Sequence, residues 1–293
     1  MFKRMTNGEK IFHTINYLFL AVCMFVTVFP LISIVAKSFS SVRAIESGEV
    51  FLLPVEANVK AYKSLIGGGQ LLRSMKNTVF ITLIGTALNM VMTTMGAYVL
   101  SKKRLIGSTF FLRMVVFTMM FTGGTIPNFI LVKSLNLINT YFALWLPGLI
   151  QVYNLIVMRT FFMGLPDSLE EAAKIDGAGD ISLFIKIILP LSLASLATIA
   201  LFYAVSWWNE YFNGMIYISK STLMPLQVKL KQMIESVDSS LLGEGMNEDM
   251  NERLSDDAIQ AAAMVISTVP MLCVYPFLQK YFVKGVMIGA VKG

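Results

Sequence analysis

Six stretches of the chain are nearly free of charge and filled with Leu, Ile, Val, Phe, Met and Ala, at about 11–36, 78–100, 109–132, 141–162, 187–208 and 258–282. Each has the length of about 20 apolar residues that an α-helix needs to cross a hydrocarbon core. The pattern predicts an all-α integral membrane protein with six transmembrane helices. The first stretch follows Lys3, Arg4 and Lys10 and so looks like a signal peptide. Its 26-residue run is longer than the usual apolar core of such a peptide, so it reads as a retained helix. Six crossings put both termini on one side.

Composition agrees with this pattern. Hydrophobic residues make up 56% of the 293-residue chain and charged residues 14%, against about 25% charged in soluble domains. Mean hydropathy is +0.68, and 21 Phe with 20 Met exceed what a soluble interior of this size can hide. One histidine, His13, and two cysteines do not supply a metal-ligand cluster, so no metal site is expected. Cys23 and Cys273 fall inside apolar runs and are expected to be free, buried thiols. The net charge of +6 reflects the excess of Lys and Arg in cytoplasmic loops of membrane proteins rather than nucleic-acid binding. With the N-terminus inside, segments 1–10, 101–108, 159–186 and the tail after 279 carry 12 of the 24 Lys and Arg, including Lys102, Lys103 and Arg104. Another 11 are spread over much longer outer loops. The bias favours both termini in the cytoplasm.

Two outer loops are long. The first, about 37–77, holds Pro54 and the run Gly67, Gly68, Gly69, and is expected to be irregular with a short helix. The second, about 209–257, carries eight carboxylates between Glu235 and Asp257, and composition alone favours a solvated, partly disordered segment.

If the chain transports a solute, its spans show no internal energy source. Ion-coupled carriers place Asp, Glu or His in the membrane, whereas no Asp or Glu lies deep in any of the six stretches. Arg113 and Arg159 sit near helix ends where they can snorkel, and Glu210 lies just past the fifth stretch. A secondary carrier is therefore disfavoured. No Gly-x-x-x-x-Gly-Lys-[Ser/Thr] loop is present, so ATP is not bound here either. Energy has to enter through another subunit.

The place for that subunit is the cytoplasmic loop between the fourth and fifth stretches, 164–180. Ser168 and Glu171 have capping-box spacing, Pro166 sets the entry, and Gly177 can end the helix in the left-handed conformation. The spacing predicts a helix of two or three turns outside the membrane, with Ala172 and Ala173 allowing close approach. So short a helix is marginal alone and gains a purpose if a partner's groove receives it.

Glu171-Ala172-Ala173, three residues, Gly177, nine residues, Ile187, one residue and Leu189-Pro190 reproduce the EAA motif of ABC-importer permeases without a mismatch. The wider stretch from Pro166 to Ala178 resembles the carbohydrate-uptake branch. Trp208-Asn209-Glu210-Tyr211 and the tail from Lys280 to Gly293 are similar to the shorter, maltose-type permease and to the Gram-positive lipoprotein/oligosaccharide permease subgroup.

The resemblance implies a single type I permease domain over 1–293, with its core at about 72–282, a coupling loop at 164–180, an extracytoplasmic loop at 209–257 and a cytoplasmic tail at 283–293. It implies a bacterial cell (inner) membrane location. The implied partners are a second, different permease, two ATP-binding subunits that hold ATP and Mg, and an extracytoplasmic sugar-binding protein. The substrate would be an oligosaccharide or polysaccharide. Glu170, Glu171, Ala172, Ala173, Asp176 and Gly177 would couple to the ATPase, and the chain itself would be no enzyme and hold no cofactor. Aromatic faces and neutral amides suit sugars, so Tyr153, Asn154, Trp207, Trp208, Asn209 and Glu210 are candidates for the substrate path. The tryptophans also suit an interfacial aromatic belt. Glu244, Glu248 and Asp249 are candidates for contact with the binding protein. Rival readings are a permease for peptides or amino acids and a membrane enzyme acting on lipid-linked sugars.

Overall fold

The computed structural model describes residues 7–241, apart from 68, 103 and 122, and residues 257–273. The described residues are mostly helical and include no strand. In chain order the helices are α1 (Asn7–Ser38), α2 (Val42–Glu46), α3 (Lys60–Gly67), α4 (Gln70–Ser101), α5 (Ser108–Met120), α6 (Thr125–Ser134), α7 (Phe142–Trp145) and α8 (Val152–Met163). They continue with α9 (Asp167–Ile175), α10 (Asp180–Leu191), α11 (Leu193–Trp208), α12 (Phe212–Tyr217), α13 (Leu226–Leu241) and α14 (Asp257–Cys273). The described residues form two compact units, one drawn from 7–69 with 230–241 and 257–269, the other from 70–229 with 270–273.

In the first unit, α1 is long and apolar enough to cross a membrane, and none of its most apolar window is buried. Its charges suit the helix dipole, with Glu9 in the first turn and Lys37 in the last. The segment that follows is more ordered than expected, because its polar groups find local partners. Ser40 Oγ donates to the Ala36 carbonyl (2.7 Å) and accepts from the Val55 amide (3.1 Å). Ser41 caps α2 by accepting from the Ala44 amide. Tyr62 of α3 stacks on Phe39 with centroids 4.8 Å apart and donates to Ser38 Oγ. The expected single short helix is thus two, and the next long helix begins at Gln70 rather than 78.

In the second unit, α4 packs along α8 and α11. The core between and around these helices includes Ile81, Ala97, Leu155, Met158, Ile199 and Tyr203. Close approach rests on small residues. A Cβ on Gly85 would lie 2.6 Å from Trp207 Nε1, and one on Gly96 would lie 3.3 Å from Leu155. Lipid offers no hydrophobic drive between helices, so such fits and interhelical hydrogen bonds carry the packing.

Three of the apolar stretches are broken. Between α5 and α6 the chain turns by 109°, where Gly124 takes a φ of +83° that side chains disfavour. The stretch expected at 141–162 is interrupted after α7 by Pro147 and Gly148, and α8 starts only at Val152. α10 and α11 meet at 83°. There Pro190 lacks an amide hydrogen, a π-helical turn occupies Phe184–Ile188, and buried Ser192 donates to the Ile188 carbonyl at 2.6 Å.

Cys23 and Cys273 are free, as expected, but exposed rather than buried. An apolar run on a membrane helix is satisfied by lipid or a partner and does not have to enter the chain's own interior.

Candidate functional site

The short helix expected around Glu171 is present as α9, nine residues from Asp167 to Ile175. Its terminator behaves as the sequence implies: Gly177 has a φ of +79° and the Ala178 amide donates to the Ala173 carbonyl. The capping box does not form. Pro166, extended at ψ 132°, occupies the N-cap without a side-chain cap bond, so the helix starts two residues early and Ser168 lies inside its first turn. Asp167 and Glu170 supply first-turn negative charge instead.

α9 has two distinct faces. Ala173 is buried and Leu169 and Glu170 are half-buried on the inner face. Glu171, Ala172 and Ile175 face outward, with Asp176 and Gly177 exposed at the end. Ile175 is 86% exposed, an apolar tip that the motif alone did not single out. Of the two glutamates, Glu171 is free to meet a partner, whereas Glu170 is ion-paired with Lys102. Lys102 also lies 4.1 Å over the Tyr98 ring. Arg104 bonds Asp180 at 2.5 Å, and this bond holds the Asp180 carboxyl below the usual carboxylate range. Burial first, then Arg104 and Lys174, lower Lys102 to about 8, against the pull of Asp167 and Asp180. Arg159 donates to the Leu100 carbonyl at 2.9 Å, closing the end of α4 rather than snorkelling. A cleft of about 240 Å³ lined by Lys102, Arg104, Asp167, Glu170, Glu171 and Lys174 lies among these groups.

The second cluster surrounds the break before α8. Asn89 Nδ2 donates to the carbonyls of Gly148 (2.6 Å) and Leu149 (2.8 Å), and its Oδ1 accepts from Trp207 Nε1 (2.6 Å). Tyr203, fully buried, shares a 2.6 Å hydrogen bond with Thr93 and accepts from the Gln151 amide. These bonds satisfy backbone groups that a broken helix would leave bare in an apolar medium. Asn89, Thr93 and Tyr203 were not singled out from sequence. The Pro147-Gly148 pair, whose Gly148 carbonyl accepts from Asn89, is the sequence signal that could have found them.

Of the proposed path residues, Trp207 and Trp208 are buried, Asn154 is buried and donates to Gln151 Oε1, and Tyr153 is 58% exposed. Gln151 also donates to Ser206 Oγ at 3.3 Å, and Asn209 is exposed. Glu210 accepts from the Asn213 amide (2.9 Å) and side chain (3.2 Å), starting α12. The structure therefore brings Gln151, Tyr153 and Asn154 onto one helix end and sets Ser206 beside them.

The first part of the 209–257 segment is folded rather than solvated. Tyr217, Ile218, Met224 and Leu226 are buried. Asn139 Oδ1 accepts from the amides of Ser219 and Lys220. Asn77 Nδ2 donates to the carbonyls of Thr222 and Met224. Polar anchors and buried apolar side chains outweigh the acidic composition, which is concentrated further along. Glu244, Glu248, Asp249 and the tail 283–293 lie outside the described residues.

Residues 2–288 match the family described as binding-protein-dependent transport system inner membrane component. A polygalacturonan/rhamnogalacturonan transport system permease protein of Bacillus subtilis (strain 168) is 42% identical over 97% of this chain and 99% of its own. An arabinooligosaccharides transport system permease protein of Halalkalibacterium halodurans is 28% identical over 96% of this chain and 95% of its own. Among solved structures, a chain of a bacterial ABC transporter involved in the import of the acidic polysaccharide alginate superposes with a TM-score of 0.84. It is 34% identical and covers 96% of this chain and all of its own.

Proposed function

The chain belongs to the family of binding-protein-dependent transport system inner membrane components, and from that premise we propose that it imports a uronic-acid-rich oligosaccharide or polysaccharide fragment. It is a transporter permease and not an enzyme, and ATP is hydrolysed on separate subunits. The observation that carries the substrate class is the pairing of two similar proteins, one named for polygalacturonan and rhamnogalacturonan and one for the acidic polysaccharide alginate. Polygalacturonan and alginate are both polymers of uronic acids.

In this reading the chain crosses the membrane six times with both termini in the cytoplasm. It pairs with a second, different permease and stands on two ATP-binding subunits. α9 is the docking helix, and its outer face of Glu171, Ala172 and Ile175 enters a cleft of the ATPase. Gly177 fixes where that face ends. Closure of the ATPase dimer then moves the permeases as rigid bodies and opens the path to the binding protein.

The path runs along the helix ends that carry Gln151, Tyr153, Asn154, Ser206 and Asn209, with Trp207, Trp208 and Glu210 behind and beside them. Exposed amides and hydroxyls are costly against lipid, which supports an aqueous cavity at that face. Glu244, Glu248 and Asp249 meet a basic surface of the binding protein.

The test is uptake by the reconstituted complex. Oligogalacturonides and alginate fragments are expected to stimulate ATP hydrolysis and to be imported, while neutral maltooligosaccharides of equal length are not. Equal import of the neutral sugars would refute the uronic-acid reading.

A further inference from the structure

α4 is an unbroken helix of 32 residues in a unit whose other apolar stretches are interrupted. From Asn77 to Ser101 it extends about 36 Å at the helical rise of about 1.5 Å per residue, and Lys102 follows directly. Each part of it holds something different. Near its start, Asn77 grips the carbonyls of Thr222 and Met224, and Thr78 Oγ1 accepts from the Leu226 amide at 2.8 Å. In its middle, Asn89 and Thr93 hold the break before α8 and the Tyr203 hydroxyl. At its far end, Lys102 is ion-paired with Glu170 in the first turn of α9, and Arg104 bonds Asp180 just past the end of α9.

α9 buries only Ala173, so its own packing does little to fix its orientation. The two ion pairs differ in quality. Lys102 and Glu170 side chains are 15% and 23% exposed, whereas Arg104 and Asp180 are 52% and 60% exposed. Exposed pairs are screened and contribute little, while a partly buried pair, reinforced here by the Tyr98 ring, acts at lower dielectric.

We infer that Lys102 is a positioning residue that clamps α9 to α4, so that α4 moves as a rod with the docking helix at one end and the 218–226 segment at the other. Glu170 is then a clamp residue, and the adjacent Glu171 is the one that meets the ATPase. The inference rests on α9 being the docking helix. A helix resists compression, so displacement of α9 by the ATPase reaches Thr222 and Met224 without any change in the bonds along α4. Coupling needs a physical link of this kind between two discrete arrangements.

The experiment uses the full-length chain assembled with its partner permease, ATPase and binding protein in vesicles. An environment-sensitive fluorophore is placed on Ser221→Cys, with Cys23 and Cys273 changed to serine. Lys102→Glu and Glu170→Lys, singly, are expected to retain the ATPase subunits yet lose the nucleotide-dependent signal at position 221. Sugar transported per ATP hydrolysed is expected to fall on the order of tenfold. The double swap is expected to recover at least half of both. A wild-type signal in the single variants, or a swap no better than either of them, would overturn the clamp. Should Lys102→Glu fail to accumulate, Lys102→Gln carries the same expectation and the same refutation. The docking reading is tested apart from this, by Glu171→Ala and Ile175→Asp. Undiminished ATPase retention and transport in those two variants would sink that reading instead.

Discussion

Asn89 shows how much a single side chain does inside an apolar bundle. Its amide serves two carbonyls at the break before α8 and one indole nitrogen. Replacing it by Leu leaves those groups unpaired in a medium that offers no water, at about 1–3 kcal/mol for a buried group left unsatisfied. Asn89→Leu is therefore expected to lower the unfolding temperature of the detergent-solubilised protein clearly, as followed by thermal denaturation. Gly85 makes the complementary case of shape rather than polarity. A methyl group there would stand 2.6 Å from Trp207 Nε1 and has no room unless the indole moves. Gly85→Ala is expected to destabilise by about 1–3 kcal/mol through overpacking and to shift the fluorescence of Trp207.

At the scale of elements, α9 depends on its end and on its charge contacts. Gly177 at φ +79° has nothing within 4 Å of an added Cβ, so substitution there meets backbone strain alone. Gly177→Ala is expected to cost about 1–2 kcal/mol locally and to reduce transport per ATP while leaving the amount of membrane-inserted protein unchanged. If Lys102 clamps α9 as proposed, coupling is expected to be sensitive to pH. Lys102 is lowered to about 8, and a lysine loses its charge as pH rises through its pKa. Transport per ATP is expected to decline between about pH 7 and 9 as the Glu170 pair loses its cation. In Lys102→Arg, which stays charged, that decline should be absent. Folding stability moves the other way. Between 8 and the ordinary 10.5 the unfolded chain holds the proton that the folded chain has released, so this group adds stability as pH rises in that window.

For the whole molecule, the exposed apolar surface of α1 and of α5 marks a chain built to be covered by lipid and by other subunits. Its encounter with the binding protein is expected to be electrostatic. Changing Glu244, Glu248 and Asp249 together to their amides should weaken stimulation of ATP hydrolysis by the binding protein at low ionic strength. The difference from the unaltered complex should vanish at about 0.5 M salt, where charges are screened within a few Å. Titrating the binding protein at several salt concentrations measures both slopes. Parallel titrations at every salt concentration would show that these carboxylates play no part in docking.

What sequence alone determined is what local chemistry controls. Apolar runs of membrane length, a helix of two to three turns around Glu171 and a left-handed terminator at Gly177 need only composition, spacing and one glycine. The EAA spacing carried the family, since seven positions at fixed separation are readable without any fold. The tertiary structure decided whatever depends on two distant segments meeting. Whether Ser168 caps α9 turned on Pro166 starting the helix two residues early. Glu170 and Glu171 are adjacent in sequence but differ in surroundings, because Lys102, far along the chain, pairs with Glu170 and leaves Glu171 exposed. The 209–229 segment is packed because Asn77, Thr78 and Asn139 are there to hold it. Breaks at Gly124, Pro147 and Pro190 were written in the residues, yet hydropathy averages over them. It takes the polar partners of a broken helix, Asn89 and Tyr203 foremost, to make such a break stable inside a membrane.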